Sequence, residues 1–187
     1  MVYRPFDLPD GKAWTKRWRK MAKDAGFEGL YLLGHVAYQW QVDEVMAMGF
    51  DAVNLVPLGD TKRNKCLALR HLPILIKHMR GKSPLVYDYA KAIKVFAESA
   101  MKREEIVPTI LPGWDHSPRS RMRAFVMDHS TPEAFKAHVE AIKQIVDKKQ
   151  NQLVMLKSWN EWGEGNYMEP DARWGRQYND VLGEVQS

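Results

Sequence analysis

Two glutamates three residues apart carry the most pointed chemistry in this sequence. Glu161 and Glu164 lie in the run Lys157-Ser158-Trp159-Asn160-Glu161-Trp162-Gly163-Glu164-Gly165-Asn166-Tyr167-Met168-Glu169-Pro170-Asp171, which holds four carboxylates and three aromatic rings. A spacing of three puts both glutamates on one side of a turn or of a first helical turn. Making or breaking a glycosidic bond needs such a pair. One carboxyl protonates the departing oxygen, and the other acts as nucleophile or base. Packing by Trp159 and Trp162 offers a way to hold one group protonated and leave the other ionised. Exposed indoles also present flat faces to sugar rings. The spacing fits an acidic loop tied down by aromatic packing equally well, so the run alone leaves both readings open.

A second group is Trp114, Asp115, His116 and Arg119. Asp115 suits sugar hydroxyls. Arg119 can orient a carboxylate or meet a phosphate, or simply pair with an acidic neighbour while His116 serves as a turn residue. His35 and Asn54 also follow apolar stretches, but a lone histidine is more often a packing residue. Asp115, Glu164, Glu169 and Asp171 have ligand chemistry, yet no motif with ligand spacing such as His-Glu-x-x-His occurs. The single cysteine, Cys66, excludes an internal disulfide and a multi-cysteine metal centre. No metal or cofactor is expected.

These residues need a scaffold, and the pattern alternates short apolar strands with amphipathic helices. Val2-Tyr3 reads as the end of a strand. Asp10 caps a helix with Trp14, Trp18, Met21, Ala22 and Ala25 on its apolar face, and Gly26 suits its C-terminal cap. A strand is expected at Leu30 to Leu33, a short helix from Trp40 to Met48 closed by Gly49, and a strand at Ala52 to Val56. Residues 57 to 85 read as an irregular basic insertion punctuated by Pro57, Gly59, Pro73, Gly81 and Pro84. Asp88 caps a helix carrying Ile93, Phe96, Ala97, Ala100 and Met101. A strand at Ile106 to Leu111 leads into Pro112-Gly113-Trp114-Asp115. Ser130, Thr131 and Pro132 begin a helix, with Glu133 placed for a capping box. A strand at Leu153 to Leu156 and a helix at about Arg176 to Val185 complete the chain.

Alternating strands and helices imply a parallel sheet. The count, four strands plus the stub, fits an open doubly wound sheet or part of a barrel. No glycine-rich phosphate loop follows a strand, which argues against a nucleotide-binding sheet. The candidate residues all follow strands, where parallel α/β folds build their sites.

The chain has 187 residues, a net charge of +5 and 45% hydrophobic residues, with a mean hydropathy of −0.47. It reads as one ordinary globular domain. The basic clusters Lys16, Arg17, Arg19, Lys20 and Lys62, Arg63, Lys65 are read as solvated faces, not as a nucleic-acid surface. The second remains a candidate for holding a sugar phosphate. No apolar run approaches the roughly 18 residues that span a bilayer, and no secretory signal is apparent. A cytoplasmic location is the simplest expectation.

At this point a resemblance enters. Tyr3-Arg4-Pro5 with Leu8-Pro9-Asp10, Gly26-Phe27-Glu28-Gly29-Leu30-Tyr31, Pro112-Gly113-Trp114-Asp115 with Pro118-Arg119, and Trp159 to Asp171 with Gly175 resemble the WbsX-like glycosyltransferases, also called glycoside hydrolase family 99-like domains. The resemblance implies a (β/α)8 barrel, of which this chain is the C-terminal portion, about strands four to eight. A full barrel needs about 250 residues, so a further half-barrel or self-association is expected to complete it. The resemblance implies that Glu161 assists the sugar 2-hydroxyl as an internal nucleophile and that Glu164 is the general acid/base. His35, Trp114, Asp115, His116, Arg119, Trp159, Asn160, Trp162, Tyr167 and Glu169 are then the expected substrate-binding residues. His116 departs from the amide residue of many relatives. The expected function is a carbohydrate-active enzyme domain acting on glycosidic bonds in bacterial surface polysaccharide metabolism, by transfer or by hydrolysis. Its substrate is a carbohydrate or sugar nucleotide. The rival is a non-catalytic carbohydrate-binding or assembly remnant.

Overall fold

A computed structural model describes residues 1–63, 76–77, 79–101 and 103–186. Helix α1 (Gly11–Asp24) starts where Asp10 accepts from the amide of Ala13 at 2.9 Å. It ends at Gly26, whose φ of +87° suits glycine. Strand β1 is Leu33–Val36, three residues beyond the expected Leu30 to Leu33. The reason lies in the partners. Side chains take the backbone groups of the earlier residues: Arg19 donates to the Leu30 carbonyl and Asp51 accepts from the Leu32 amide. Helix α2 (Val42–Ala47) follows a 3-10 turn, and β2 (Ala52–Leu55) pairs with β1 in parallel. Val2 forms a parallel bridge to Gly34 on the other side of β1.

The expected irregular insertion is corrected at both ends. Residues Leu58–Arg63 form α3, begun after Pro57 with Asp60 in the first turn. The Thr61 hydroxyl bonds back to the Pro57 carbonyl. At the far end β3 (Leu85–Asp88) starts within the segment and leads into α4 (Tyr89–Met101), where Asp88 accepts from the Lys91 amide as the expected cap. The side chains of Lys62 and Arg63, and Lys65 altogether, lie outside the described residues.

The expected strand Ile106 to Leu111 is two strands, β4 (Ile106–Val107) and β5 (Thr109–Ile110), divided at Pro108. Proline has no N–H to give a ladder, and the partner changes there. β4 pairs with β2, and β5 pairs with a later strand. β6 (Trp114–Asp115), α5 (Ser117–Ser120) and β7 (Phe125–Asp128) follow. Helix α6 (Pro132–Val146) is capped by Thr131, which accepts from the Ala134 amide. β8 (Met155–Leu156) runs parallel to β5, two residues shorter than expected. A hairpin of β9 (Asn160–Glu161) and β10 (Asn166–Tyr167) and helix α7 (Gln177–Gln186) complete the order.

Parallel pairing thus runs Val2, β1, β2, β4/β5, β8. Among the described residues this array is open and does not close on itself. The second sheet, β3-β7-β6, joins two excursions that leave the array after β2 and after β5. It packs on Val56 and Leu111, just beyond the ends of those strands, in a shared apolar cluster. The array separates its faces by alternation. Val36, Val53, Leu55 and Ile106 pack against Val42 and Val45 of α2. Leu33, Ala52 and Val107 form a smaller cluster with Met155 on the opposite face. A third cluster, with Phe135, Ile142 and Val181, joins α4, α6 and α7. Each such large apolar side chain contributes roughly 1.5–3 kcal/mol by leaving water.

One polar group is caught in that packing. His138 of α6 is 1% exposed, with its ring edge-on to Tyr89 and Phe96. Among the described residues neither ring nitrogen has a partner at hydrogen-bond geometry. Burial pushes its pKa down to about 4, and the nearby Thr109 backbone offsets this only in part. The native state therefore holds the ring neutral, while the unfolded chain protonates it below its ordinary 6.5. Stability contributed by the neutral ring is complete above that value and falls as the pH drops towards 4. The loss is about 1.4 kcal/mol per pH unit, or roughly 3 kcal/mol over the window. We expect His138→Phe to flatten this part of the profile in urea unfolding at neutral pH and at about pH 4.5. An unchanged difference between the two pH values would assign the acid sensitivity to other groups.

Candidate active site

The site is assembled from the segments that follow β5 and β8. The Lys157 amide donates to Ile110, which continues the β8 ladder by one residue. Beyond it Ser158 is anchored twice to Asn166: its amide meets the Asn166 side-chain oxygen at 3.0 Å and its hydroxyl meets the Asn166 carbonyl at 2.9 Å. Asn166 is fully buried, and Met168 inserts into the cluster between α4, α6 and α7. The β9–β10 hairpin is held at its base in this way, with Glu161 opposite Asn166. Its tip is the 3-10 turn Trp162–Glu164, closed by Gly165 in the left-handed conformation at φ +54°. Glu161 precedes that turn as its N-cap and Glu164 ends it, so the two glutamates stand at its two ends.

The second segment brings the cations. Asp115 accepts from the Ser117 amide at 2.8 Å and starts α5. From α5, Arg119 reaches across to both glutamates. Its Nη2 lies 2.6 Å from Glu161 Oε1 and its Nη1 3.4 Å from Glu164 Oε1. A Cβ on Gly163 would lie 3.1 Å from that guanidinium, so the turn is open where the arginine crosses it. His116 places Nε2 3.7 Å from Glu164, and its Nδ1 lies 2.8 Å from the Ser120 hydroxyl. Lys157 Nζ is 3.9 Å from Glu164 and stands over the Trp114 ring. Glu164 is the more sheltered carboxylate, at 16% side-chain exposure against 36% for Glu161.

The aromatic residues form a side wall. Trp162 stacks on Tyr167 at 3.7 Å, and its indole N–H donates to Glu169 at 2.6 Å. The Tyr167 hydroxyl donates to Asp171 at 2.9 Å, and burial together with that carboxylate pushes its pKa up to about 12. Burial alone would raise the Asp171 carboxyl. The amide of Trp174, the Tyr167 hydroxyl and the amides of Arg173 and Gly175 outweigh it and hold the group below its usual range. Trp159 and Asn160 are exposed on the hairpin.

His35 lies apart, in a polar file along the array. Tyr3 stacks on its ring at 5.0 Å. His35 Nδ1 meets Asn54 at 3.1 Å, and the Asn54 amide donates to Thr109 and to the Val107 carbonyl. Burial lowers the His35 pKa first; the Asn54 contact opposes this, and the charge on Lys157 adds to it. The structure therefore gathers Glu161, Glu164, Asp115, His116, Arg119 and Trp114. It sets Trp162, Tyr167 and Glu169 beside them and leaves His35 linked through the field of Lys157. The roles of Ser120, Lys157 and Asn166 escaped the sequence reading. Only Ser120 carried a signal, its helical i,i+4 spacing from His116. Among the described residues no group of His, Cys, Asp or Glu is arranged to hold a metal ion.

The family profile described as Glycosyltransferase WbsX matches residues 1–182, which takes in both segments and the whole parallel array. The chain belongs to this family. Two similar proteins, both named uncharacterized protein WxcX, come from Xanthomonas campestris pv. campestris strains B100 and ATCC 33913. Each is 26% identical over 186 residues, covering 97% of this WbsX-family chain and 26% of the relative. The chain thus spans about a quarter of the length of these relatives. No solved structure matches it. The family description ties the chain to carbohydrate, and among the described residues no helix is long and apolar enough to cross a membrane.

Gly165 joins the two segments. A Cβ there would lie 2.8 Å from Asp115 Cβ and 3.1 Å from the Asp115 amide nitrogen. The left-handed backbone adds roughly 1–2 kcal/mol for any L side chain. We expect Gly165→Ala to cost more than that backbone term alone, read from denaturant midpoints, because backbone of β6 must move. A loss of only a few tenths of a kcal/mol would mean that the two segments are not in register-fixing contact.

Proposed function

We propose that this chain is a carbohydrate-active enzyme domain that acts on glycosidic bonds, with Glu161 and Glu164 as its catalytic pair. The observation that carries the reading is the shared guanidinium: one Arg119 holds both carboxylates at the ends of the parallel strands. An acidic loop packed only for stability has no need to converge on one cation beside Trp114 and Trp162. The family description supports the substrate class. The biological setting we propose is surface polysaccharide assembly in the bacterial cytoplasm.

The division of roles follows the resemblance of the run Asn160 to Gly165 to family 99-like enzymes. Glu161, bound at 2.6 Å, serves as the carboxylate. It takes the proton of the sugar 2-hydroxyl as that oxygen attacks the anomeric carbon. Glu164, bound more loosely at 3.4 Å, gives its proton to the departing oxygen as the carbon–oxygen bond breaks. Water or a sugar hydroxyl then reopens the ring, losing its proton to Glu164 and returning one from Glu161 to the 2-oxygen. His116, steadied by Ser120, stands where it can exchange a proton with Glu164. Water as acceptor gives hydrolysis and a sugar hydroxyl gives transfer.

The architecture we propose for this activity is the C-terminal portion of a (β/α)8 barrel. Its support is the parallel order of the array and the layering of its face, with the apolar residues Leu33, Ala52 and Val107 followed by the polar file His35, Asn54 and Thr109. Leu153 and Val154, just before β8, are 48% and 38% exposed. Among the described residues β8 has β5 as its one strand partner, and an open strand edge recruits further strands. The purified chain is expected to self-associate or to bind a separately supplied half-barrel in sedimentation. A sharp monomer peak with cooperative unfolding would count against the partial-barrel architecture.

The catalytic pair is tested by Glu161→Gln and Glu164→Gln, assayed in the assembled protein for release of an aryl aglycone. Each should lower turnover by orders of magnitude with the fold intact, because the lost interaction belongs to the transition state. An activated leaving group should partly rescue Glu164→Gln and leave Glu161→Gln inactive. The double variant should lose far less than the product of the single losses. Near-normal turnover in both single variants, with Asp115→Asn inactive, would move the chemistry to the Trp114–His116 segment. Binding of sugar with no turnover in the assembled wild type would favour the non-catalytic, carbohydrate-binding alternative.

A further inference from the structure

Beside the glutamate pair lies a cavity of about 420 Å³. Trp114, Asp115 and Gly165 line it, so it shares a wall with the site, but neither Glu161 nor Glu164 faces into it. Its far side is made by Asp128, His129, Arg173 and Trp174. The proposed mechanism uses none of these four. The volume lies within the range of roughly 300–1,000 Å³ common to small-ligand sites.

The rim is built with strain. His129 follows β7 and has φ +61°, a left-handed conformation outside glycine. Such residues persist where the surroundings over-determine them, and they concentrate at ligand sites. Here the cause is visible. Asp88 and Asp128 are register partners at the ends of β3 and β7, and like charges so paired repel. The His129 ring lies between them, with Nδ1 3.4 Å from Asp88 and Nε2 3.8 Å from Asp128. Its backbone amide also donates to Asp128 at 2.8 Å. The strained residue therefore fixes a carboxylate and an imidazole together at the mouth of a cavity walled by two indoles.

The composition selects the ligand. Asp115, Asp128 and Asp171 set three carboxylates against one guanidinium and one imidazole, a balance that does not favour a phosphate or a uronate. Carboxylates accept from hydroxyls, and indole rings cover the apolar face of a pyranose. We propose that this cavity is a subsite for an uncharged hexopyranose unit, with Asp128 and His129 reading its hydroxyls and Trp174 packing on its ring. That the subsite serves the reaction rests on the reading of Glu161 and Glu164 as the catalytic pair, but its occupancy does not.

The test is a titration of the full chain labelled with 15N at its seven tryptophans. Glucose, galactose, mannose and N-acetylglucosamine are the neutral probes, and UMP is the anionic one. At least one hexose should shift the indole signal of Trp114 or Trp174. Asp128→Asn, at an exposed position, should weaken that binding about tenfold or more with the thermal melt unchanged, and Trp174→Ala should abolish it. Glu164→Gln should titrate as wild type. Hexoses that move neither indole, a response to UMP alone, or wild-type titration of Asp128→Asn would each overturn the subsite. Hexose binding here in a protein whose glutamate variants keep full turnover would leave the subsite standing and remove the catalytic pair. Loss of turnover in those variants without hexose binding would do the reverse.

Discussion

The close approach of Gly165 to Asp115 is the constraint on which the site depends. The two residues belong to excursions that leave different strands, and only a residue without a Cβ lets their backbones meet at this distance. Once they meet, α5 lies against the hairpin turn, and Arg119 is within reach of both glutamates. The same contact brings His116 to Glu164 and makes the wall between the glutamates and the neighbouring cavity. A helix N-cap or a core leucine has many equivalents in this chain. This contact has none among the described residues, because no other glycine of positive φ meets backbone within 4 Å.

The charges around that contact explain how a basic chain supports an acidic site. Among the described residues Glu164 faces Arg119, His116 and Lys157, and Glu161 faces Arg119 alone. Several other positive groups among the described residues hold structure. Arg19 holds the Leu30 and Gly49 carbonyls and Asp51. Lys149 donates to the carbonyls of Arg103 and Ile106 at the start of β4, and burial lowers its pKa. Arg103 pairs with Asp43 and Glu105. These pairs tie helix ends and loops to strand ends and require no anionic partner from outside.

Much of this was legible in the sequence, and the reasons differ by element. Helices announced themselves through caps, as at Asp10, Asp88 and Thr131, where a short polar side chain has one dominant local use. Strands were legible as apolar runs but not in register. Leu30 and Leu32 look like strand residues, yet side chains of Arg19 and Asp51 take their backbone groups. Pro108 split a run that hydrophobicity alone reads as continuous. β3 and β7 were missed because each follows basic or proline-rich chain, and each gains meaning only by pairing with the other. In the site, Glu161, Glu164 and Arg119 stood out by type and position. Asn166 and Ser158 did not, because a buried asparagine anchoring a hairpin looks like any loop residue until its partner is known.

The second sheet gives this arrangement its functional logic. β3 and β7 come from excursions after β2 and β5, and their pairing sets a roof over the ends of the parallel array. The roof carries Trp114 and Asp115 on β6 and Asp128 at the end of β7, whereas the glutamates ride on the separate hairpin after β8. The proposed subsite residues Asp128 and His129 and the proposed catalytic glutamates thus sit on different pieces of chain, with Gly165 and Tyr167 shared between the two sites. On that reading a change at Asp128 or His129, whose contacts lie with each other and with Asp88, can alter which sugar is held without touching the glutamate turn. A change in the turn is felt through Gly165 and Arg119 by both. On the proposed reading the chemistry rides on one short segment and recognition on the connections around it, as expected where loops on a rigid strand scaffold carry function.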